Sequence, residues 1–141
     1  MKRAESTTSA SLPTAAGASL KILCADDDAS LGTMLSFALV RHGHTVVVAK
    51  DGREALEKIA AERSGFDLVV TDNEMPNADG FALVQRLRDS KYPGKIIVHC
   101  SELRPSDAAR YRKLGVDLIL QKPVPLIAFL NAVHEVGGVA Q

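Results

Sequence analysis

The sequence predicts an α/β domain in which a parallel sheet of five strands is covered by helices on both faces. Short apolar runs, near-continuous and rich in β-branched residues, alternate along the chain with stretches of helical spacing. Unbroken apolar strands are typical of parallel sheets that are buried on both faces. The alternation of strand and helix, joined by right-handed crossovers, therefore predicts a doubly wound fold.

The predicted elements begin after an N-terminal tail. Residues 1–18 are rich in Ser, Thr and Ala without an apolar period, so they cannot bury enough surface to offset their ordering entropy and are expected to be flexible. One domain is predicted over 19–138, followed by a short C-terminal tail, 139–141. The predicted strands are Leu20–Ala25, Thr45–Ala49, Asp67–Thr71, Lys95–Cys100 and Asp117–Leu120.

A helix is predicted after each strand. The fourth is expected over Arg104–Leu114, with Pro105 near its first turn, and the fifth runs from Pro125 to a glycine stop at Gly137–Gly138. The first three are marked by apolar stripes: Leu31, Leu35, Ala38 and Leu39; Ala55, Leu56, Ile59 and Ala60; Phe81, Leu83, Val84 and Leu87.

Composition and charge exclude several classes of protein. The chain is 46% hydrophobic and 24% charged, which is ordinary globular usage and argues against wholesale disorder. The formal net charge is zero, whereas proteins of nucleic acids or anionic membranes carry a positive excess, so neither partner is expected. No apolar run approaches the ~18 residues of a spanning helix. Cys24 and Cys100 are too few for a disulfide framework.

Charged residues cluster where the predicted strands end. Asp26, Asp27 and Asp28 follow the first strand, Asp72 follows the third, and Lys122 follows the fifth. Ligand sites in such sheets lie outside the carboxyl ends of the strands, so these side chains are expected to converge. Crowded carboxylates favour a hard divalent cation such as Mg²⁺ or Mn²⁺, and a lysine there suits a carboxylate or a phosphoryl group.

Each of these residues also has a purely structural interpretation. Asp28 precedes the first helical stripe and is interpreted as an N-cap. Three adjacent aspartates exceed what a cap needs, which favours a functional role for Asp26 and Asp27. Asp72 alone would be a turn residue, and Lys122 alone a solvated surface residue. Because these residues follow three different strands, the set as a whole supports a functional site more strongly than any one of them does.

Several segments in order resemble response-regulator receiver domains of two-component systems, across almost all of 20–136. The resemblance implies a CheY-like, single-domain protein with the flavodoxin-like (βα)5 fold and strand order 2-1-3-4-5. The segments that carry it are Ile22–Asp28, His42–Val46, Ala49–Leu56, Asp67–Asp72, Met75-Pro76 through Asp79-Gly80, Leu114–Asp117 and Lys122-Pro123.

The resemblance implies a role for each site residue. Asp72 would be the phosphoacceptor and would help to bind Mg²⁺. Asp27 would ligate the metal directly, Asp26 through a metal-bound water, and Glu74 through its backbone carbonyl. Lys122 would pair with Asp72 and then with the phosphoryl oxygens. The chemistry implied is in-line phosphoryl transfer from a phosphohistidine, so the domain would turn over only its own phosphorylation and would not be an enzyme on an external substrate.

Two positions depart from the family pattern. Cys100 stands where the family usually has a Thr or Ser that hydrogen-bonds the phosphoryl group. Because a thiol is a weak donor, that hydroxyl is either missing or supplied by Ser101. Ile119 stands where the family commonly has a rotating Tyr or Phe, so the usual switch is not expected in that form. The resemblance also implies a cis peptide bond at Lys122–Pro123.

Two acidic residues are expected to flank the phosphoryl group. By the resemblance, Glu74 and Glu102 occupy positions that tune how fast water removes it. Carboxylates there would oppose a metaphosphate-like transition state, so we expect a modified lifetime of the phosphorylated form. The alternative is that both are ordinary solvated surface acids.

The implied partners are a histidine kinase or histidine phosphotransfer protein and a downstream protein. A bacterial cytoplasmic location follows from the resemblance, as does output from a stand-alone domain through the face formed by 104–136. The fourth helix is basic, which suits an acidic docking surface, although an ordinary solvated face is the alternative. Its basic residues are Arg104, Arg110, Arg112 and Lys113.

Two other functions remain open from the residues alone. One is a small haloacid-dehalogenase-type phosphatase with Asp26 as nucleophile and Asp28 as acid/base, although the further acidic pair expected late in such a chain is not found. The other is a receiver-like docking module that takes no phosphate. The set of Asp26, Asp27, Asp72 and Lys122 argues against docking alone, whereas Cys100 and Ile119 favour it.

Overall fold

The structure, a computed structural model, describes residues 19–139. The predicted tail 1–18 lies outside the described residues, as do 140 and 141 of the predicted C-terminal tail. The remaining residue of that tail, Val139, donates its N–H to the carbonyl of His134 at 2.8 Å.

The predicted doubly wound fold and the strand order 2-1-3-4-5 are confirmed. The five strands are all parallel, in the spatial order β2-β1-β3-β4-β5. Since the order reverses at β1, the switch point lies between β1 and β3, where a ligand crevice is expected. The strands are β1 Lys21–Ala25, β2 Thr45–Ala49, β3 Leu68–Thr71, β4 Lys95–Cys100 and β5 Leu118–Gln121.

Strands β1, β3 and β5 each begin one residue later than predicted. Asp67 and Asp117 lie just before their strands, and each bonds to the neighbouring strand through its backbone N–H, to the carbonyls of Lys21 at 2.8 Å and Ile96 at 2.9 Å, as well as through its side chain. The Asp67 carboxylate accepts from the Lys21 N–H at 2.8 Å, and the Asp117 carboxylate accepts from the Ile96 N–H at 2.8 Å. Each aspartate thus satisfies the first free N–H of an adjacent strand.

The helices begin and end close to the predicted positions. An aspartate caps each of the first three by accepting from a first-turn N–H: Asp28 at 3.1 Å, Asp51 at 2.7 Å and Asp79 at 2.8 Å. The fifth ends at Gly138, whose φ of 73° is the left-handed conformation that glycine adopts without strain. The helices are α1 Ala29–Arg41, α2 Gly52–Ala61, α3 Gly80–Asp89, α4 Pro105–Lys113 and α5 Leu126–Gly137.

Two apolar cores flank the sheet, as the two-faced strands predict. One packs the sheet against α2, α3 and α4, and is built around Leu23, Val69, Ile96 and Val98. The other packs it against α1 and α5, and is built around Ile22, Val70, Ile97 and Phe129. Alternate residues of β1 and β3 therefore point into opposite cores. Ala60, which was predicted in the stripe of α2, is exposed.

No helix within residues 19–139 is long and apolar enough to cross a membrane.

Candidate functional site

The predicted acidic residues meet at the carboxyl edge of the sheet, where the strands end. Asp26 follows β1 and is 6% exposed, and Asp72 follows β3 beside it. The backbone holds the two strand ends in register, because the Asp72 N–H donates to the carbonyl of Ala25 at 2.9 Å. Asp27 is exposed above them. The carboxylates of all three aspartates offer oxygen atoms within 4.8 Å of one another.

Lys122 bridges the two inner carboxylates. Its Nζ lies 2.9 Å from Asp26 Oδ2 and 3.2 Å from Asp72 Oδ2. Burial by itself lowers the pKa of Lys122, but the hydrogen bond and charge of Asp26, together with Asp72, outweigh it and raise the pKa above its ordinary value. The lysine is therefore a permanent cation between two carboxylates. Its side chain is 15% exposed, so solvent screens this attraction only in part.

The loop after β3 holds the Asp72 backbone closely. Gly80, the first residue of α3, leaves no room for a side chain, since a Cβ there would lie 2.1 Å from the carbonyl oxygen of Asp72. The Gly80 N–H donates to the carbonyl of Asn73 at 2.9 Å. Thr71 donates its hydroxyl to the Asp72 carbonyl at 2.9 Å. The backbone of the phosphoacceptor candidate is thus held closely between the end of β3 and the start of α3.

The acidic cluster fits a hard divalent cation. Carboxylate oxygens are the ligands that Mg²⁺ prefers, and one or two carboxylates with several waters form a typical site. Asp27 is the member best placed to meet solvent, whereas both Asp26 oxygens are engaged. Asp26 Oδ1 accepts from the Asp28 N–H at 2.9 Å and its Oδ2 meets Lys122. Asp28 itself caps α1, in line with the N-cap interpretation.

Cys100 and Ser101 lie in different environments at the end of β4. Cys100 is fully buried. Burial, followed by the charge of Asp72, raises the pKa of its thiol, so the sulfur stays protonated and unreactive at neutral pH. Ser101 is exposed, and its carbonyl accepts from the Gln121 side chain at 3.3 Å. Ile119 is half-buried on β5, opposite Val98 in the register, where it packs into the core beneath α4.

The remaining predicted positions lie at the rim. Glu74 and Glu102 are both exposed, in the loops after β3 and β4. The peptide bond between Lys122 and Pro123 is cis. The Lys122 N–H donates to the carbonyl of Cys100 at 2.7 Å, which joins the ends of β4 and β5.

Sequence reasoning missed two polar contacts of Asn73, the residue that follows Asp72. Asn73 lies in the loop, and its side-chain oxygen accepts from the hydroxyl of Tyr111, a fully buried residue of α4. The Asn73 side chain also donates to the carbonyl of Glu102 at 3.4 Å. The two partners lie 38 residues apart, so no local pattern signals the pair. A tyrosine on the buried side of a helix does signal that its hydroxyl needs a partner.

A second polar cluster lies at the amino edge of the sheet, although the sequence suggested no role for its histidines. Nε2 of His44 and Nε2 of His134 are 3.0 Å apart. The Leu20 N–H donates to His44 Nδ1 at 3.0 Å, which places the proton of the neutral His44 ring on Nε2, facing His134. The His42 ring lies 5.7 Å from that of His134. These contacts pack α5 against the strand ends.

The comparisons with known proteins agree with this architecture. A family model, described as the response regulator receiver domain, matches residues 22–134. The chain belongs to the receiver-domain family. Receiver domains are components of two-component systems and are not enzymes of the ordinary turnover kind.

Three relatives illustrate the match of this receiver domain. The alkaline phosphatase synthesis transcriptional regulatory protein PhoP of Bacillus subtilis is 36% identical over 103 residues, which cover 73% of this chain and 42% of PhoP. The sensor protein EvgS of Escherichia coli is 32% identical over 86% of this chain and 10% of its own length. The structure of the chemotaxis protein CheY4 of Vibrio cholerae has a TM-score of 0.75 and 31% identity, and the match covers 84% of this chain and 98% of CheY4.

The receiver domain spans less than half the length of these curated relatives, 42% of PhoP and 10% of EvgS. The likeness to CheY4, in contrast, extends over nearly the whole of that chain. The shared unit is therefore the receiver domain itself, and the activities of the larger relatives belong to them.

Proposed function

We propose that this receiver domain accepts a phosphoryl group on Asp72 from a phosphohistidine of a histidine kinase or histidine phosphotransfer protein, in a Mg²⁺-dependent reaction. The observation that supports it is the placement of the Asp72 carboxylate. It lies beside Asp26 and Asp27, within 4.8 Å by their oxygen atoms, and 3.2 Å from the Lys122 ammonium. A nucleophilic carboxylate with a resident cation suits phosphoryl transfer, in which positioning and charge neutralisation supply most of the catalysis.

The residues of the chain divide the work of the transfer. One carboxylate oxygen of Asp72 attacks phosphorus in line with the bond to the imidazole nitrogen of the donor. As the new O–P bond forms, the P–N bond breaks, and its electron pair remains on the imidazole, which takes a proton from solvent. Lys122 holds the carboxylate before the transfer and the phosphoryl oxygens after it. Asp26 keeps Lys122 charged and in place through its 2.9 Å contact.

The metal would be held by Asp26, Asp27, Asp72 and the backbone carbonyl of Glu74. Mg²⁺ (or Mn²⁺) supplies charge neutralisation to the phosphoryl oxygens when it is bound. The exposed carboxylate of Asp27 would take the direct ligand position, and the more buried Asp26 would act through a metal-bound water. Lys122 already lies against Asp26 and Asp72, so a bound metal would add to its neutralisation of the three carboxylates.

Exposed residues in the loops after β3 and β4 would contact the phosphoryl group and set its lifetime. Cys100 is buried with its thiol protonated, so Ser101 is the better candidate for a hydroxyl contact with the phosphoryl group. Glu74 and Glu102 are exposed at the loops that flank the site. We expect their charges to alter the rate of hydrolysis, and replacing both by Gln tests this: an unchanged rate would return them to ordinary surface acids.

Output would pass through protein contacts on the face of 104–136. The basic residues of α4 are all exposed, which suits an acidic partner surface. Arg110 lies with its guanidinium 3.5 Å from the centre of the Phe81 ring, a contact that stabilises its position on this face. A bacterial cytoplasmic setting and the absence of a nucleic-acid or membrane partner belong to the same proposal.

Intact mass after incubation with Mg²⁺ and acetyl phosphate tests the proposal. Wild type is expected to gain a single phosphoryl adduct, which EDTA abolishes and which Asp72→Asn lacks. Asp28→Asn is the matched control, because it removes a neighbouring negative charge but keeps the capping oxygen of α1, and it should be labelled like wild type. No adduct on wild type under conditions that label another receiver domain would overturn phosphoryl acceptance.

Absence of the adduct would favour the second candidate, a receiver-like module that works by docking alone. The fully buried Cys100 and the apolar Ile119 are the observations in its favour. A haloacid-dehalogenase-type phosphatase is set aside because the chain belongs to the receiver-domain family. The carboxylate of Asp26, its required nucleophile, is also 6% exposed and engaged by Lys122 and the Asp28 N–H.

A further inference from the structure

Asn73 connects the phosphoacceptor candidate to α4 through three hydrogen bonds. Its backbone N–H donates to Asp72 Oδ1 at 2.7 Å. Its side-chain Nδ2 donates to the carbonyl of Glu102, in the loop that leads into α4, at 3.4 Å. Its side-chain oxygen accepts from the hydroxyl of Tyr111, on α4 itself. A single residue therefore touches the reacting carboxylate on one side and two parts of the α4 region on the other.

Tyr111 is held on α4 by burial on all sides. It is fully buried and packs edge-on against Phe81 of α3, with ring centres 5.9 Å apart. Burial raises the pKa of the phenol, so the hydroxyl stays protonated and must donate. Asn73 is the acceptor that the structure provides for it. A buried hydroxyl without an acceptor is costly, so the orientation of Tyr111 depends on where the Asn73 side chain lies.

The side chain at the more usual switch position has no polar group to share in this network. Ile119 is half-buried on β5 and packs in the same core as Tyr111. Its side chain can neither donate nor accept a hydrogen bond, whereas the side chain of Asn73 does both and links the site to the α4 region.

We propose that the Tyr111–Asn73 hydrogen bond couples the phosphorylation state of Asp72 to the position of α4. This inference rests on the proposed function, since it requires Asp72 to be phosphorylated. Acyl phosphate formation replaces the carboxylate pair by one ester oxygen and one carbonyl oxygen and adds anionic oxygens beside the Asn73 N–H. Asn73 follows its new acceptor, its side chain leaves Tyr111 and Glu102, and the buried hydroxyl finds a new acceptor only if Tyr111 and α4 shift.

Hydrogen exchange of the α4 amides, measured with and without the acyl phosphate, tests the coupling. The variant is Tyr111→Phe, which keeps the ring against Phe81 and removes only the hydroxyl. The control is Tyr92→Phe, which also removes a partly buried tyrosine hydroxyl. That hydroxyl donates to the carbonyl of Phe66 at 2.9 Å, at the opposite edge of the sheet. Intact mass, recorded on the same samples, reports the fraction that is phosphorylated.

Phosphorylation is expected to change α4 exchange by roughly tenfold in wild type and in Tyr92→Phe, within the ordinary range of allosteric coupling. In Tyr111→Phe the same comparison should give less than about a twofold change, because the link is already absent. Asn73→Ala, which keeps the backbone N–H to Asp72 but loses the side chain, should behave like Tyr111→Phe and guards against a folding defect specific to position 111.

Three results would overturn the coupling. A purely structural tyrosine would raise α4 exchange by the same factor in both states and leave the phosphorylation-dependent change intact. A normal adduct on wild type with no change in α4 would refute the coupling and leave the proposed function standing. No adduct on wild type would refute both, and the mass spectrum separates this case from the other two.

Discussion

The two edges of the sheet each carry a polar cluster, and they are kept stable in opposite ways. At the carboxyl edge, Lys122 Nζ lies 2.9 Å from Asp26 Oδ2 and 3.2 Å from Asp72 Oδ2, and the attraction between these opposite charges stabilises the cluster. At the amino edge, His44 and His134 share a hydrogen bond with 3.0 Å between nitrogen atoms. Burial, then the neighbouring imidazoles, lower the pKa of His44 to about 4, so His44 is neutral at pH 7.

The difference follows from the charges that each edge brings together. Opposite charges can stay ionised when they are partly buried, because each offsets the desolvation of the other. Like groups gain no such compensation, so burial, and after it the charge of the neighbouring rings, favours the neutral form of His44. The carboxyl edge thus holds opposite charges in contact, whereas at the amino edge the neutral form of His44 is favoured.

The largest expected effect comes from removing the cation of the charged edge. Lys122→Met should slow adduct formation by acetyl phosphate on the order of a hundredfold, since it removes the ammonium group that lies 3.2 Å from Asp72 Oδ2. Time-resolved intact mass measures the rate. Lys95→Met, an exposed lysine at the start of β4 on the amino edge, is the control and should react normally. A Lys122→Met protein labelled as fast as wild type would mean that the metal alone suffices.

Lowering the pH should destabilise the folded protein through His44 at the amino edge of the sheet. The pKa of folded His44 is depressed from 6.5 to about 4, so its contribution to stability is complete above pH 6.5 and is lost as the pH falls towards 4. At about pH 5 the loss, relative to neutral pH, is roughly 2 kcal/mol of unfolding free energy. His99, whose pKa burial also lowers to about 4, adds a contribution of the same sign.

His44→Gln isolates the share of His44. Urea unfolding of both proteins at about pH 7.5 and about pH 5 should show a smaller loss of stability in the variant by roughly 2 kcal/mol. The His99 contribution is common to both proteins and cancels in the comparison. Equal losses in wild type and variant would show that His44 is not the group that takes up the proton.

The close backbone contact beneath Asp72 should be sensitive to a single methyl group. Gly80→Ala would place a Cβ 2.1 Å from the Asp72 carbonyl oxygen, so backbone must move, at a cost of about 1–3 kcal/mol in unfolding free energy together with slower labelling. Gly32→Ala is the matched control on α1, where the Cβ would meet only Val48 at 3.4 Å. Urea unfolding and adduct rates should separate the two, and identical behaviour would contradict the contact.

The smallest effect is expected at Asp28, which lies at the charged edge but serves the helix. Asp28→Ala should cost about 1 kcal/mol of unfolding free energy through loss of the α1 cap, and adduct formation should continue. Asp28→Asn should restore the stability because it keeps the capping oxygen. A loss of labelling in Asp28→Asn, at unchanged stability, would instead assign Asp28 to the charged cluster.

Much of the carboxyl edge could be predicted because parallel strands place their ends side by side. Asp26, Asp72 and Lys122 follow three different strands, and the sheet rule alone brings them together. Their roles in phosphoryl transfer remain predictions, since proximity does not establish chemistry. The sequence did not predict that β3 and β5 begin one residue after Asp67 and Asp117. An aspartate that bonds to the neighbouring strand cannot be distinguished in the sequence from the first residue of its own strand.

The amino edge and the Asn73 link could not be predicted in the same way. His44 and His134 are 90 residues apart, and Asn73 and Tyr111 are 38 apart. Each pair joins a loop to a helix, and the angle and depth at which that helix packs depend on side-chain shapes across the whole core rather than on any period.

The sequence by itself determined the order of elements, the two-faced core and the edge at which the carboxylates and the lysine meet. Apolar period and strand direction are local properties that the chain carries into any packing. Only the tertiary structure decided which groups became partners: Lys122 with both aspartates, His44 with His134, and Tyr111 with Asn73. Hydrogen bonds act over a few ångströms, and contacts that short exist only after the helices have packed.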